Sequence, residues 1–168
     1  KTKADLIVLG LHRHTNKHSS LIGKVIERVV KASLKPVLVV KDRSEPEYKK
    51  ILVAVDFNSH SKNSLKLALS LFSDANFTLI HSYYTPFLGS IGVSATTFEN
   101  EFRESYEEDM NKLLKEATNE VAKSNGEKAK YKIKNKLEKG SIIDVLNKEI
   151  LYSKPQLLVI GTHGISGI

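Results

Sequence analysis

Three groups of side chains in the 168-residue sequence have the types and spacing for chemistry. His12, His14 and His18 form a His-x-His-x3-His cluster, a spacing with which imidazole nitrogens can hold a metal. No carboxylate stands within the cluster and a helical pattern begins just after it, so it reads as a polar loop and no metal site is expected. Asp56 closes an apolar run and precedes His60 by four residues, a pairing able to move protons. Asn58, Ser59 and Ser61 beside it favour a simpler reading, a helix-capping turn. The third group is a pair of segments, Gly10-Leu11-His12 and Gly161-Thr162-His163, each following a run of aliphatic residues. No Ser-His-Asp order, paired carboxylates or Walker loop accompanies them, and the chain has no cysteine to act as nucleophile or zinc ligand. No catalytic residue is assigned.

The elements that must position these residues are short. Leu6 to Leu9, Val37 to Val40, Ile51 to Val55, Phe77 to Ile80 and Leu157 to Ile160 are largely β-branched apolar runs, the pattern of strands buried on both faces of a parallel sheet. Amphipathic stretches lie between them. Leu21, Ile22, Val25, Ile26, Val29 and Val30 make one apolar stripe, starting at Ser19 or Ser20 and stopping before Pro36, and Leu65, Ala68, Leu69 and Phe72 make another. A long helix is predicted to begin at Thr96, which has capping-box spacing to Glu99. Its stripe runs through Phe98, Phe102, Tyr106, Met110, Leu113, Ala117 and Val121 to a stop at Asn125 and Gly126. A shorter helix starts at Ser141, with Asp144 three residues on, and carries Val145, Leu146 and Ile150. Between residues 130 and 138, Tyr131, Ile133 and Leu137 alternate with Lys130, Lys132, Lys134 and Lys136, the pattern of an edge strand with a lysine row facing out. Alternating strands and helices predict a doubly wound α/β fold.

The strand preceding each glycine is repeated. Lys3 to Arg13 aligns without gaps on Lys154 to Gly164, with five of eleven positions identical and an offset of 151 residues, about one domain length. A tandem duplication accounts for this better than the general likeness of buried strands, because the Gly-x-His that follows is shared as well.

Composition narrows the function classes. No run of apolar residues reaches the roughly 18 needed to span a membrane and the N-terminus lacks a signal-peptide pattern, so a soluble, cytoplasmic protein is expected. The net charge of +7 belongs to residues 1–46, with ten Lys or Arg against four Asp or Glu, while residues 47–168 have sixteen against fifteen. That basic segment contains no Phe, Tyr or Trp to stack on bases, so nucleic acid is not the expected partner.

Ile51-Leu52-Val53-Ala54-Val55-Asp56 as a first strand ending in Asp, Ile80-His81-Ser82 closing a second, Gly140 before a helix, and Leu157 to Gly164 together resemble the universal stress protein family. Residues 47–168 resemble one such domain without its last helix and strand. Residues 1–46 resemble the closing strand, helix and strand of a preceding domain plus a linker, ending in Lys35-Pro36-Val37-Leu38-Val39-Val40. The resemblance implies an adenine-nucleotide α-hydrolase-like fold, a doubly wound parallel five-stranded sheet of order 3-2-1-4-5. It also implies pairing as a homodimer, or within one chain between tandem units, and ATP as cofactor in one branch of the family.

That branch holds phosphates on a loop of glycine, two residues, glycine, nine residues, glycine, then Ser or Thr, where backbone amides approach closely and a helix N-terminus adds positive dipole. Carried over residue by residue, the resemblance places Gly161, His163 and Gly164 in such a loop, with Asp56, Ser82 and Gly140 at the other matching positions. The sequence ends at Ile168, before the loop's second half would be reached. The N-terminal copy has Gly10, Arg13 where the second glycine belongs, and Gly23 followed by Lys24, so two of four signature positions are changed. The expected function is an ATP-binding stress-response protein with a regulatory role and no enzymatic one. The alternative is a nucleotide-independent dimerisation or scaffold module, and a third reading is nucleotidyl transfer or hydrolysis on the same fold.

Overall fold

The computed structural model describes residues 4–11, 24–41, 47–84, 95–125 and 132–161. The chain divides into two compact units, one taking in Lys1–Glu47 with His163–Ile168 and the other Tyr48–Thr162.

The first unit contains β1 (Ile7–Gly10), α1 (Lys24–Ala32) and β2 (Val37–Val40). β1 and β2 pair in parallel, Ile7 opposite Val37 and Gly10 opposite Val40, as a two-stranded sheet of their own. Pro36 leads into β2, and its carbonyl accepts from the Ile7 amide at 2.9 Å. Of the predicted α1 stripe, Ile26 is buried and Val29 and Val30 are half-buried, whereas Val25 is 72% exposed. Leu21, Ile22 and the expected start at Ser19 or Ser20 lie outside the described residues. Both strands are half-buried at most, so the expectation of strands covered on both faces does not hold here.

The second unit runs β3 (Lys50–Ala54), α2 (Ser59–Leu71), β4 (Asn76–Tyr83), α3 (Ala95–Asn125), β5 (Lys132–Lys139), α4 (Ile142–Ser153) and β6 (Leu157–Ile160). Its sheet is wholly parallel, in the order β5-β4-β3-β6. Counted within the unit this is 3-2-1-4, the expected order as far as four strands; no fifth strand joins this sheet among the described residues. Helices cover both faces. Strand alternation puts Ile51, Val53, Phe77 and Leu79 on one face with Leu65, Ala68 and Leu69 of α2 and Met110, Leu113, Ala117 and Val121 of α3. The other face presents Leu52, Ala54 and Ile80 to Val145, Leu146 and Ile150 of α4.

The local signals explain most boundaries. Asn58 caps α2 by accepting from the Ser61 amide, and Ser141 caps α4 by accepting from the Asp144 amide at 3.2 Å. Thr96 already lies inside α3, which starts at Ala95, so it is not the cap expected. Glu99 instead meets Lys139 at 3.2 Å, across the gap to the end of β5. β5 is an edge strand, but its lysines are not a uniform solvent row. Lys136 is half-buried and reaches the buried Glu149 carboxylate of α4 at 2.6 Å, with its ammonium 5.4 Å from the Tyr152 ring centre. A carboxylate on a helix face that would otherwise be apolar supplies the partner that pulls this lysine inward.

Candidate functional site

Parallel pairing places the carboxyl ends of β3, β4, β5 and β6 along one rim, and most of the residues singled out in the second unit sit there. Asp56 follows β3, Ser82 is the penultimate residue of β4, Gly140 follows β5 and Gly161 follows β6. The chain steps from β3 outward through β4 to β5, then returns to the opposite side of β3 for β6. The strand order therefore reverses between β3 and β6, and open α/β sheets bind ligands outside the strand ends at such a switch point. Asp56 and Gly161 flank it, because Ala54 and Ile160 are register partners.

α2 starts at the same place. A Cβ on Gly161 would stand 2.8 Å from the Ser61 amide nitrogen and 2.9 Å from the His60 carbonyl carbon, so only glycine lets the β6 end pass this close to the first turn of α2. The helix N-terminus contributes positive potential beside that glycine. Asp56 is exposed and its carboxylate is oriented: one oxygen accepts from the Asn58 amide at 3.3 Å and the other from the Asn58 side chain at 2.8 Å. Ser61 ties the turn back, its hydroxyl accepting from the Asp56 amide at 3.4 Å and donating to the Asn58 carbonyl at 3.1 Å.

Gly140 has φ 137°, a conformation suited to glycine, and its amide donates to the Tyr83 carbonyl at 3.0 Å. It thus stands beside the β4 end, two strands from β3. Ser82 shares the α4 face of β4 with Ile80. Gly10 is in the other unit, at the end of β1, with nothing among the described residues within 4 Å of where its Cβ would be. Arg13, Gly23, His163 and Gly164 lie outside the described residues, as do His12, His14 and His18. Among the described residues no group of three His, Cys, Asp or Glu side chains is arranged to hold a metal.

Away from the rim, α2 and α3 are joined by charge. Lys62 lies 2.8 Å from both Glu116 and Glu120, and Lys66 lies 2.6 Å from Glu120. Hydrogen bonds from Lys62 and Lys66 hold the Glu120 carboxyl down to about 2, and those that Lys62 donates to Glu116 and Glu120 raise its ammonium above its ordinary value.

The profile of the universal stress protein family matches residues 1–41 and 47–168. The chain belongs to the universal stress protein family. A curated relative, the universal stress protein MJ0577 of Methanocaldococcus jannaschii, is 50% identical over 40 residues, which is 24% of this chain; the match spans 25% of that protein's length. Among solved structures, a universal stress family protein from Burkholderia pseudomallei is 20% identical, covering 71% of this chain and 85% of its own, with a TM-score of 0.52. The protein Rv1636 from Mycobacterium tuberculosis H37Rv is 20% identical over 74% of this chain and 79% of its own, with a TM-score of 0.51. These likenesses establish the α/β universal stress fold.

Two residues of the universal stress protein's rim take roles that the sequence did not assign: Phe57 was not singled out, and His81 was named only within the segment Ile80-His81-Ser82. Phe57 takes φ 62°, and His81 meets both its ring and the strand end before Asp56. Nothing in the residue type flags Phe57, because a left-handed backbone is signalled in a sequence by Gly, Asn or Asp.

Proposed function

We propose that the strand-end rim of this universal stress protein binds an adenine nucleotide, ATP foremost, and that binding sets a conformational or partner state with no chemical step. The observation that carries this is the meeting of Asp56, Gly161 and the α2 N-terminus at the switch point. An anionic ligand gains from the helix N-terminus, and the glycine keeps side-chain bulk away from the junction. In this reading Asp56 and Ser82 hold the nucleoside end, while Gly161, His163 and Gly164 follow the phosphates, with Gly140 shaping the turn beside them. Gly10, Arg13 and Gly23 belong to an altered second loop, in which a guanidinium replaces a glycine's close backbone approach. Residues 1–46 and 47–168 then derive from two successive domains. The protein acts in the cytoplasm as a homodimer or through tandem pairing.

Isothermal titration calorimetry of the whole chain with ATP tests the proposal. Saturable binding that weakens in Asp56→Ala is the expected result. No heat at millimolar ATP, with no shift in melting temperature, would remove it.

A further inference from the structure

Asp56 is flanked by two residues that are both held by His81. The Val55 carbonyl lies 2.8 Å from His81 Nδ1, and since a carbonyl only accepts, Nδ1 carries the proton and donates. On the other side, the Phe57 ring centre is 4.4 Å from that of His81. Phe57 also stacks on Tyr106 of α3 at 6.2 Å with the planes 15° apart, and Tyr106 in turn meets His81 at 5.0 Å and Tyr83 at 5.4 Å.

A bulky residue rarely adopts φ 62°, and it stays there only when its surroundings hold it. Here the surroundings are aromatic rings from β4 and α3. The left-handed step at Phe57 is what turns the chain sharply enough for Asn58 to reach back to the Asp56 carboxylate and to cap α2 as well.

We propose that Phe57 and His81 are positioning residues, an aromatic clamp that fixes the direction of the Asp56 carboxylate and so sets the affinity of the nucleotide site. This rests on the reading of the rim as a nucleotide site. The clamp acts through Asp56 and touches no ligand, which separates it from a simple packing role.

The test is a double-mutant cycle on the whole chain, with ATP affinity measured by calorimetry at a temperature where every variant is folded. Phe57→Gly keeps the positive φ and removes the ring; it should weaken ATP about tenfold. In an Asp56→Asn background the same change should cost less than about twofold, because the group being positioned is already lost. His81→Phe, which keeps a ring and deletes the Nδ1 donor, should fall between the two, and His81→Asn, which restores a donor at that place, should recover part of the loss.

Amide hydrogen exchange tests the clamp without ligand. Asp56 and Asn58 amides should exchange about tenfold faster in Phe57→Gly, with Val53 unchanged. Unchanged ATP affinity in Phe57→Gly, or an equal loss in both backgrounds, overturns the clamp. If the unaltered protein binds no ATP, the nucleotide reading fails; exchange then decides the clamp separately, and unaltered exchange at Asp56 and Asn58 overturns it.

Discussion

Leu6 to Gly10 and Leu157 to Gly161 are nearly the same peptide in two settings. β6 lies against β3, with Leu157 and Val159 half-buried against the core that α2 and α3 cover. β1 pairs with β2 alone among the described residues, and Val8, the counterpart of Val159, is 58% exposed. The residue before each strand diverges accordingly. Gln156 accepts from the Lys49 and Lys50 amides at 2.7 and 2.9 Å, stitching β6 to the start of β3, whereas Asp5 meets Lys35 at 3.9 Å on the surface. Gly161 lies close against the start of α2, and Gly10 is open among the described residues. An apolar run ending in glycine therefore encodes a strand and a turn, but how much the run buries and whether its glycine is needed depend on what packs beside it.

The contrast between the units can be broken at several points. The largest effect is expected at ion pairs. Lys136→Ala strands the buried Glu149 carboxylate and should cost about 2–3 kcal/mol in chemical denaturation. Lys31→Ala, which removes the exposed pair with Glu27 on α1, should leave the melting temperature unchanged.

Next come the two glycines. Gly161→Ala forces backbone apart at the α2 start and should destabilise by about 2 kcal/mol, while Gly10→Ala should stay within about 0.5 kcal/mol of the parent. Equal costs at both sites would mean the close approach at Gly161 does not matter. A smaller difference is expected for Val159→Ala, about 1.5 kcal/mol from the lost methyl groups, against almost nothing for Val8→Ala.

The smallest effect is a pH dependence carried by Glu120 of the second unit. Glu120 is held from an ordinary 4.5 down to about 2 in the folded state, so its contribution is complete above about 4.5 and is lost as pH falls toward 2. Acid denaturation of Glu120→Gln should show a shallower loss in that window, and an NMR carboxyl titration should place the Glu120 midpoint well below that of a free glutamate.

Much of the fold was legible because its signals are local. Ser141 with Asp144 marks the α4 start, Pro36 marks the approach to β2, and the runs Val37 to Val40 and Leu157 to Ile160 coincide with β2 and β6. Errors arose where a pattern had two physical outcomes. An alternating lysine row served equally for a solvated edge and for one lysine turned in toward Glu149. Val25 belonged to the α1 stripe by spacing and is exposed in the fold. Of the candidate site, Asp56, Gly140 and Gly161 stood out as the residues that end apolar runs or precede a helix. The clamp around Asp56 did not, since it unites residue 57 of the turn before α2 with residue 81 of β4 and residue 106 of α3.

By itself the sequence determined the kind of each element, because apolar periodicity, caps and turn residues act within a few residues of one another; the order of the strands in the sheet was implied only by the family resemblance. Only the tertiary structure decided which of two like strands packs against the main core, which glycine is irreplaceable and what holds Asp56 in place. Those properties depend on contacts between residues far apart in the chain, and closely similar short peptides acquire them or not according to the surfaces they meet.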